Sequence, residues 1–225
     1  MFASRCLGIS AACVVVAVCT ASAEELSRYR EFDLGSSVAT VTVVTQSAER
    51  DRKTIHTRPS LLQEVAWQPR YMAGSPVAGR ESINEIVFSF VDDQLFRMTV
   101  GYDRGKTTGL TNADMTAALI EVYGAPASPS PRASTDAVDG AAVLAEWQHD
   151  DAHVALRRNR FNDSFSLVIT SLPLEVIART ARAAAVTIDA REAPAREAAL
   201  LKKRADEQRQ AEEQTRTANK KVFKP

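Results

Sequence analysis

Hydrophobic and polar positions alternate most strictly between Ile83 and Tyr102. Ile86, Phe88 and Phe90 alternate with Val87, Ser89 and Val91. After Asp92-Asp93, Phe96, Met98, Val100 and Tyr102 alternate with Leu95, Arg97 and Thr99. A period of two on both sides of a polar turn predicts a half-buried antiparallel hairpin. Ile86, Phe88, Phe90, Phe96, Met98 and Val100 are then core, and the face near Arg97 and Thr99 is left for function. A second hairpin is predicted around Asp150-Asp151, with Val143, Ala145 and Trp147 on one side and Val154 and Leu156 on the other. A further strand, Phe165, Leu167 and Ile169, follows the polar turn Asn159–Asp163. Earlier in the chain, Leu61–Trp67 alternates as a strand, and Thr54–Arg58 forms a shorter one.

Helices are marked by their ends. The run Val38–Val44 is β-branched, which favours strand, yet Ser36-Ser37 after Gly35 is a capping signal, and a short helix is preferred. Thr111-Asn112-Ala113-Asp114 is a capping box with Asp in place of Glu. Its helix stops at Tyr123-Gly124-Ala125-Pro126. Pro173 fits the first turn of another helix, whose stripe of Leu174, Ile177, Ala181, Ala184, Ala185 and Ile188 should dock on the sheet. Pro194 should break or kink it. Glu24–Asp33 reads as a polar, extended lead-in, and Arg70–Arg80 and Ala127–Asp139 as loops. The fold class is α+β: an antiparallel sheet of about five to seven strands built from hairpins, with helices packed on one face, plus a long charged C-terminal helix. One domain is expected over 24–193, with tandem units at 32–106 and 107–171. A charged helical or disordered tail follows at 194–225.

Composition adds a compartment. Arg5, the apolar run Cys6–Cys19 and the small residues Ala21 and Ala23 form a secretory signal over 1–23. The run is too short to span a bilayer. All three cysteines, Cys6, Cys13 and Cys19, lie within it, so the remaining chain has no disulfide and no thiol chemistry. The full chain carries 28 basic and 28 acidic residues. Losing the signal leaves a formal charge of −1, with no global excess to attract nucleic acid. The expected location is periplasmic or extracellular.

The two halves share an order of capped helix, loop and hairpin. Asp92-Asp93 matches Asp150-Asp151, and Trp67 matches Trp147, but one alignment cannot hold both. Gly35-Ser36-Ser37 and Gly109-Leu110-Thr111 are similar helix openings. These features, with the Tyr-Gly-Ala-Pro terminator and Trp-bearing strand, resemble the unit of the small outer-membrane assembly lipoproteins, and of the secreted β-lactamase inhibitory proteins, which carry two. The resemblance covers 32–171. It implies a non-enzymatic protein that binds another protein through a sheet face. The first helix lacks the Gly-x-Pro terminator, and no lipidated cysteine is present.

Candidate chemistry is sparse. His149-Asp150-Asp151-Ala152-His153 has metal-ligand types, but it falls on a turn where Asp is favoured for its backbone, and no metal site is assigned. Glu64, Glu85 and Glu146 sit on strands as solvent-facing acids. No nucleophile elbow, phosphate loop or dinucleotide motif occurs. No catalytic residue and no cofactor is therefore expected. The candidate partner contacts are Arg157, Arg158, Arg160 and Phe161, taken as one basic and aromatic turn, and Lys202, Lys203 and Arg204 on the tail. The favoured role is an envelope protein that binds another protein. The alternatives are a ligand carrier or enzyme with a pocket between sheet and helices, and a structural protein tethered to membrane or cell wall by its tail. Partner identity and oligomeric state stay open.

Overall fold

The computed structural model describes residues 26–47, 51–69, 82–127, 132–133, 140–222 and 224. The signal segment, the loop Arg70–Arg80 and most of Ala127–Asp139 lie outside them. A small hairpin comes first, β1 (Arg28–Tyr29) and β2 (Phe32–Asp33), then α1 (Val38–Thr45). β3 (Arg52–His56), β4 (Leu62–Trp67), β5 (Ile83–Val91) and β6 (Gln94–Tyr102) follow. A single turn, α2 (Arg104–Thr107), leads to α3 (Asn112–Tyr123). The chain ends with β7 (Arg132–Ala133), β8 (Ala141–His149), β9 (Ala152–Asn159), β10 (Phe165–Ser171) and α4 (Leu172–Val222).

The main sheet is antiparallel, in the order β3-β4-β5-β6-β10-β9-β8-β7. Strand order is symmetric about the β6–β10 junction. Each half supplies a capped helix and then four strands, and the last strand of each half meets at the centre. Ser37 accepts from the Thr40 backbone to cap α1. Thr111 and Asp114 close a reciprocal capping box on α3. In this topology Trp67, ending β4, corresponds to Trp147 in β8. The Asp92-Asp93 turn corresponds to the turn after Asn159, not to Asp150-Asp151.

α1, α3 and the β1–β2 hairpin cover one face of the sheet. There Phe32, Val41, Phe88, Met98, Leu119, Trp147, Leu156 and Leu167 form one core. The lead-in Glu24–Asp33 is thus not merely polar: Leu26, Tyr29 and Phe32 are buried in it. The ring of Phe32 packs 4.7 Å from that of Phe88. The long helix α4 crosses the opposite face over β6, with β5 and β10 on its flanks. Leu62, Val91, Phe96 and Ala178 make a second, smaller core under it.

Phe96 therefore faces the side opposite to the one its alternation predicts. Ser89 pairs with Arg97 but Phe90 pairs with Leu95, which leaves Phe96 as a bulged extra residue. The bulge turns Leu95 into the main core and sends Phe96 and Arg97 together toward α4. Arg97 is consequently not a free functional face. It donates to Glu175 of α4 at 2.6 Å. The docking stripe of α4 is rotated from the predicted one. Ala178, Ala181 and Ala185 are buried, whereas Ile177 is 48% exposed. Alanines let the helix approach the sheet closely. The helix also continues through Pro194, so proline does not end it. Arg196 bonds Asp189 across this point, and Arg58 of the β3–β4 connection holds Glu192 in a two-pronged pair.

Three tyrosines meet in the main core. Burial raises the phenol pKa of Tyr29, Tyr102 and Tyr123. The unfolded phenols ionise near pH 10, the folded ones only above it. The neutral form is therefore favoured in the fold, and its stabilising effect is complete below pH 10. We expect the urea midpoint to hold between pH 8 and pH 10 and to fall as pH rises further. A midpoint unchanged up to pH 11 would remove this account. A second measurement concerns the Arg97–Glu175 pair, which is partly screened from water. Glu175→Ala leaves Arg97 without its carboxylate and should cost about 2 kcal/mol in urea unfolding.

Candidate functional site

The residues predicted as one basic turn are divided by the ladder. Arg157 and Arg158 belong to β9 and point to opposite faces. Arg157 stands level with Val143 and Ser166 on the α4 side of the sheet. Arg158 lies over the ring of Phe165, 4.9 Å from its centroid. Its guanidinium grips both oxygens of Asp163 at 2.7 Å and donates to the Asn112 side chain at 2.6 Å. This joins the β9–β10 turn to the first residue of α3. The hydrogen bonds from Arg158, aided by its charge and that of Arg104, hold the Asp163 carboxyl below the usual range. Arg158 thus braces the turn against α3.

Only Arg160 and Phe161 stand in the turn itself. Phe161 is 87% exposed. The turn beneath it is tightly organised. The Asn159 side-chain oxygen accepts from the backbone N–H of Phe161 at 2.8 Å and of Asn162 at 3.2 Å. The Asn162 side chain accepts from the backbone and hydroxyl of Ser164. Asp163 adopts a left-handed conformation with φ 60°. On its inner side the Phe161 ring rests against Gly140, where an added Cβ would collide with the ring edge. Gly140 has φ +63° as well, so both its backbone and the seat it leaves open need glycine. Nothing in the periodicity of the chain marks Gly140, because its role appears only once the β8 and β9 ends are side by side.

Beside this turn lies an open cavity of about 610 Å³ between α2, the start of α3 and β9–β10. Arg104, Thr107, Leu110, Asn112, Arg158 and Phe165 line it. A smaller cleft of about 250 Å³ separates β3 from α4, lined by His56, Arg58, Asp189 and Arg196 among others. Asp189 in the cleft and Glu192 one helical turn beyond it are both engaged. Hydrogen bonding to Arg196 lowers the Asp189 pKa, and hydrogen bonding to Arg58 lowers that of Glu192.

His149 and His153 do not converge. His149 pairs with Ala152 and His153 with Gln148, adjacent rungs that point to opposite faces. His153 lies 3.5 Å from Glu146, and burial lowers its pKa against the opposing pull of that carboxylate. Among the described residues no group of three or more His, Cys, Asp or Glu gathers. Lys202, Lys203 and Arg204 are exposed on the free part of α4, far along the chain from the turn. Among the described residues no helix is long and apolar enough to cross a membrane. Comparison of the chain with known protein families, with characterised proteins and with solved structures finds no match in any of the three.

Gly140→Ala should drive the Phe161 ring off its seat. The ring resonances of Phe161 should move toward random-coil positions, and the strained backbone should cost about 1–2 kcal/mol. Unchanged ring shifts would mean that Gly140 does not hold the ring.

Proposed function

We propose that this chain is an exported, non-enzymatic protein of the cell envelope that binds another protein through the β9–β10 turn. The observation that carries this reading is Phe161. A large apolar side chain, 87% exposed, sits on a turn fixed by asparagine side-chain bonds and by Gly140. Aromatic anchors presented at low entropic cost dominate protein–protein binding energies. Arg160 beside it and Arg104 on the rim of the neighbouring cavity favour a partner with an apolar pocket edged by carboxylates. Export rests on the apolar N-terminal segment with its small residues at 21 and 23. The absence of chemistry as a working idea rests on how ionisable groups are used. Among the described residues, most shifted groups are buried tyrosines or members of ion pairs and caps. The resemblance to assembly lipoproteins and inhibitory proteins agrees with a binding role. Here the contact lies on a turn, since α4 covers the central strands on one face and α1 and α3 lie on the other.

Crosslinking from the native envelope tests this. The wild-type protein should capture a reproducible partner, and Phe161→Ala should reduce that capture by at least about tenfold, an effect worth about 1.4 kcal/mol. Its thermal midpoint should stay unchanged, because the side chain is exposed. Capture that is insensitive to Phe161→Ala would refute this contact surface.

A further inference from the structure

Beyond Pro194 helix α4 leaves the domain. From Ala195 to Val222 every residue but Asp206 is exposed, including Leu200 and Leu201. Helices that are polar nearly all round are marginal in water unless side-chain pairs or a neighbour support them. Local pairs exist, such as Lys203 with Glu207, Arg209 with Asp206 and Arg216 with Glu213. One side of the arm is different. At about 100° per residue, Leu201, Ala205, Gln208, Ala211, Thr215 and Ala218 fall within an arc of about 140°; none of the six is charged, and Leu201 and the three alanines are apolar. Arg204 and Glu212 lie inside the same arc. Among the described residues neither Lys202 nor Arg204 has an ion-pair partner.

The order of charges along the arm has a second property: it is complementary to itself when reversed. Turned end over end about Gln208, the basic block Lys202-Lys203-Arg204 comes level with the acidic block Glu212-Glu213. Because the operation is twofold, this match occurs twice. Arg204 stands level with Glu212, Leu201 with Thr215, and Ala205 with Ala211. The one like-charge match sets Lys220 against Arg196, which is already neutralised by Asp189 and Glu192. Set parallel and in register, two arms would instead place each block against its own copy, which is repulsive. The geometry points to an antiparallel dimer in which the arm of one chain packs on the arm of a second copy. Such a contact is isologous and closes at two chains. Gln208 lies about 20 Å along the helix from Pro194, so an antiparallel pairing about Gln208 places the two domains at opposite ends of the paired arms. This surface is separate from the Phe161 turn and stands or falls independently of it.

Sedimentation equilibrium of the whole protein tests the proposal. A monomer–dimer equilibrium is expected. Lys203→Glu with Arg204→Glu should weaken it at least about tenfold, the equivalent of one close charge pair. Glu212→Lys with Glu213→Lys should do the same. Mixing the two variants, or combining all four changes in one chain, should restore dimerisation. All four positions are exposed, and circular dichroism checks that helix content is retained. A protein that stays monomeric at all concentrations overturns the proposal. So does a dimer indifferent to these reversals, or one that the four-residue swap fails to restore.

Discussion

The turn Asp92-Asp93 ties three separate parts of the chain to one point. Both residues have positive φ, the geometry of a tight hairpin turn whose twist matches its strands. Aspartate tolerates that backbone and brings a carboxylate. The Asp92 carboxylate accepts from the Leu61 backbone at 2.8 Å, and Leu61 returns the bond through its carbonyl. The Asp93 carboxylate accepts from Val38 at the first turn of α1. Leu95 and the Gly35-Ser36 backbone exchange two further bonds. β4, α1 and the central hairpin therefore share one anchor. Each bond contributes only about 1 kcal/mol, yet together they place the helix that closes the core over Phe88.

The second half reaches the same arrangement with other chemistry. Its equivalent turn is held by Asn159, Asn162 and the Arg158–Asp163 fork. Arg158 in turn reaches the start of α3, much as Asp93 reaches the start of α1. Both halves thus connect the last hairpin to the first turn of their helix. Only in the second half does the turn lift an aromatic ring into solvent. The two halves share one layout, and their turns differ: Asp92-Asp93 is bound into the fold, whereas the second turn exposes Phe161.

Most of the architecture was legible from local signals. Capping residues at Ser37 and Thr111 and alternation in β5 and β10 each act within a few positions, so the sequence displays them directly, whereas in β8 a bulge at Leu144 puts Leu144 and Ala145 in the main core and Val143 on the other face. The misreadings involve longer reach. The bulge at Phe96 inverts a face because its register depends on a partner strand. The burial of Leu26, Tyr29 and Phe32 depends on a core assembled from the rest of the chain. The stripe of α4 was displaced toward Ala178 because close approach to the sheet rewards small side chains over Ile177. At the candidate site, Phe161 and Arg160 could be picked out from composition, whereas the division of Arg157 from Arg158 follows only from strand pairing. Gly140 carried no signal beyond being glycine.

The continuity of α4 through Pro194 has a mechanical consequence. The docked portion, from Leu174 to Ile188, is shorter than the free arm from Ala195 to Val222. The Arg58–Glu192 pair sits where the two meet. The helix is therefore a lever with its pivot at the domain edge, and a sideways load at the tip is magnified roughly twofold at the inner end, in proportion to the two lengths. That inner end rests on β6 through Ala178 and the Arg97–Glu175 bond. A sideways load on the arm is thus delivered to the middle of the sheet, where the two halves join.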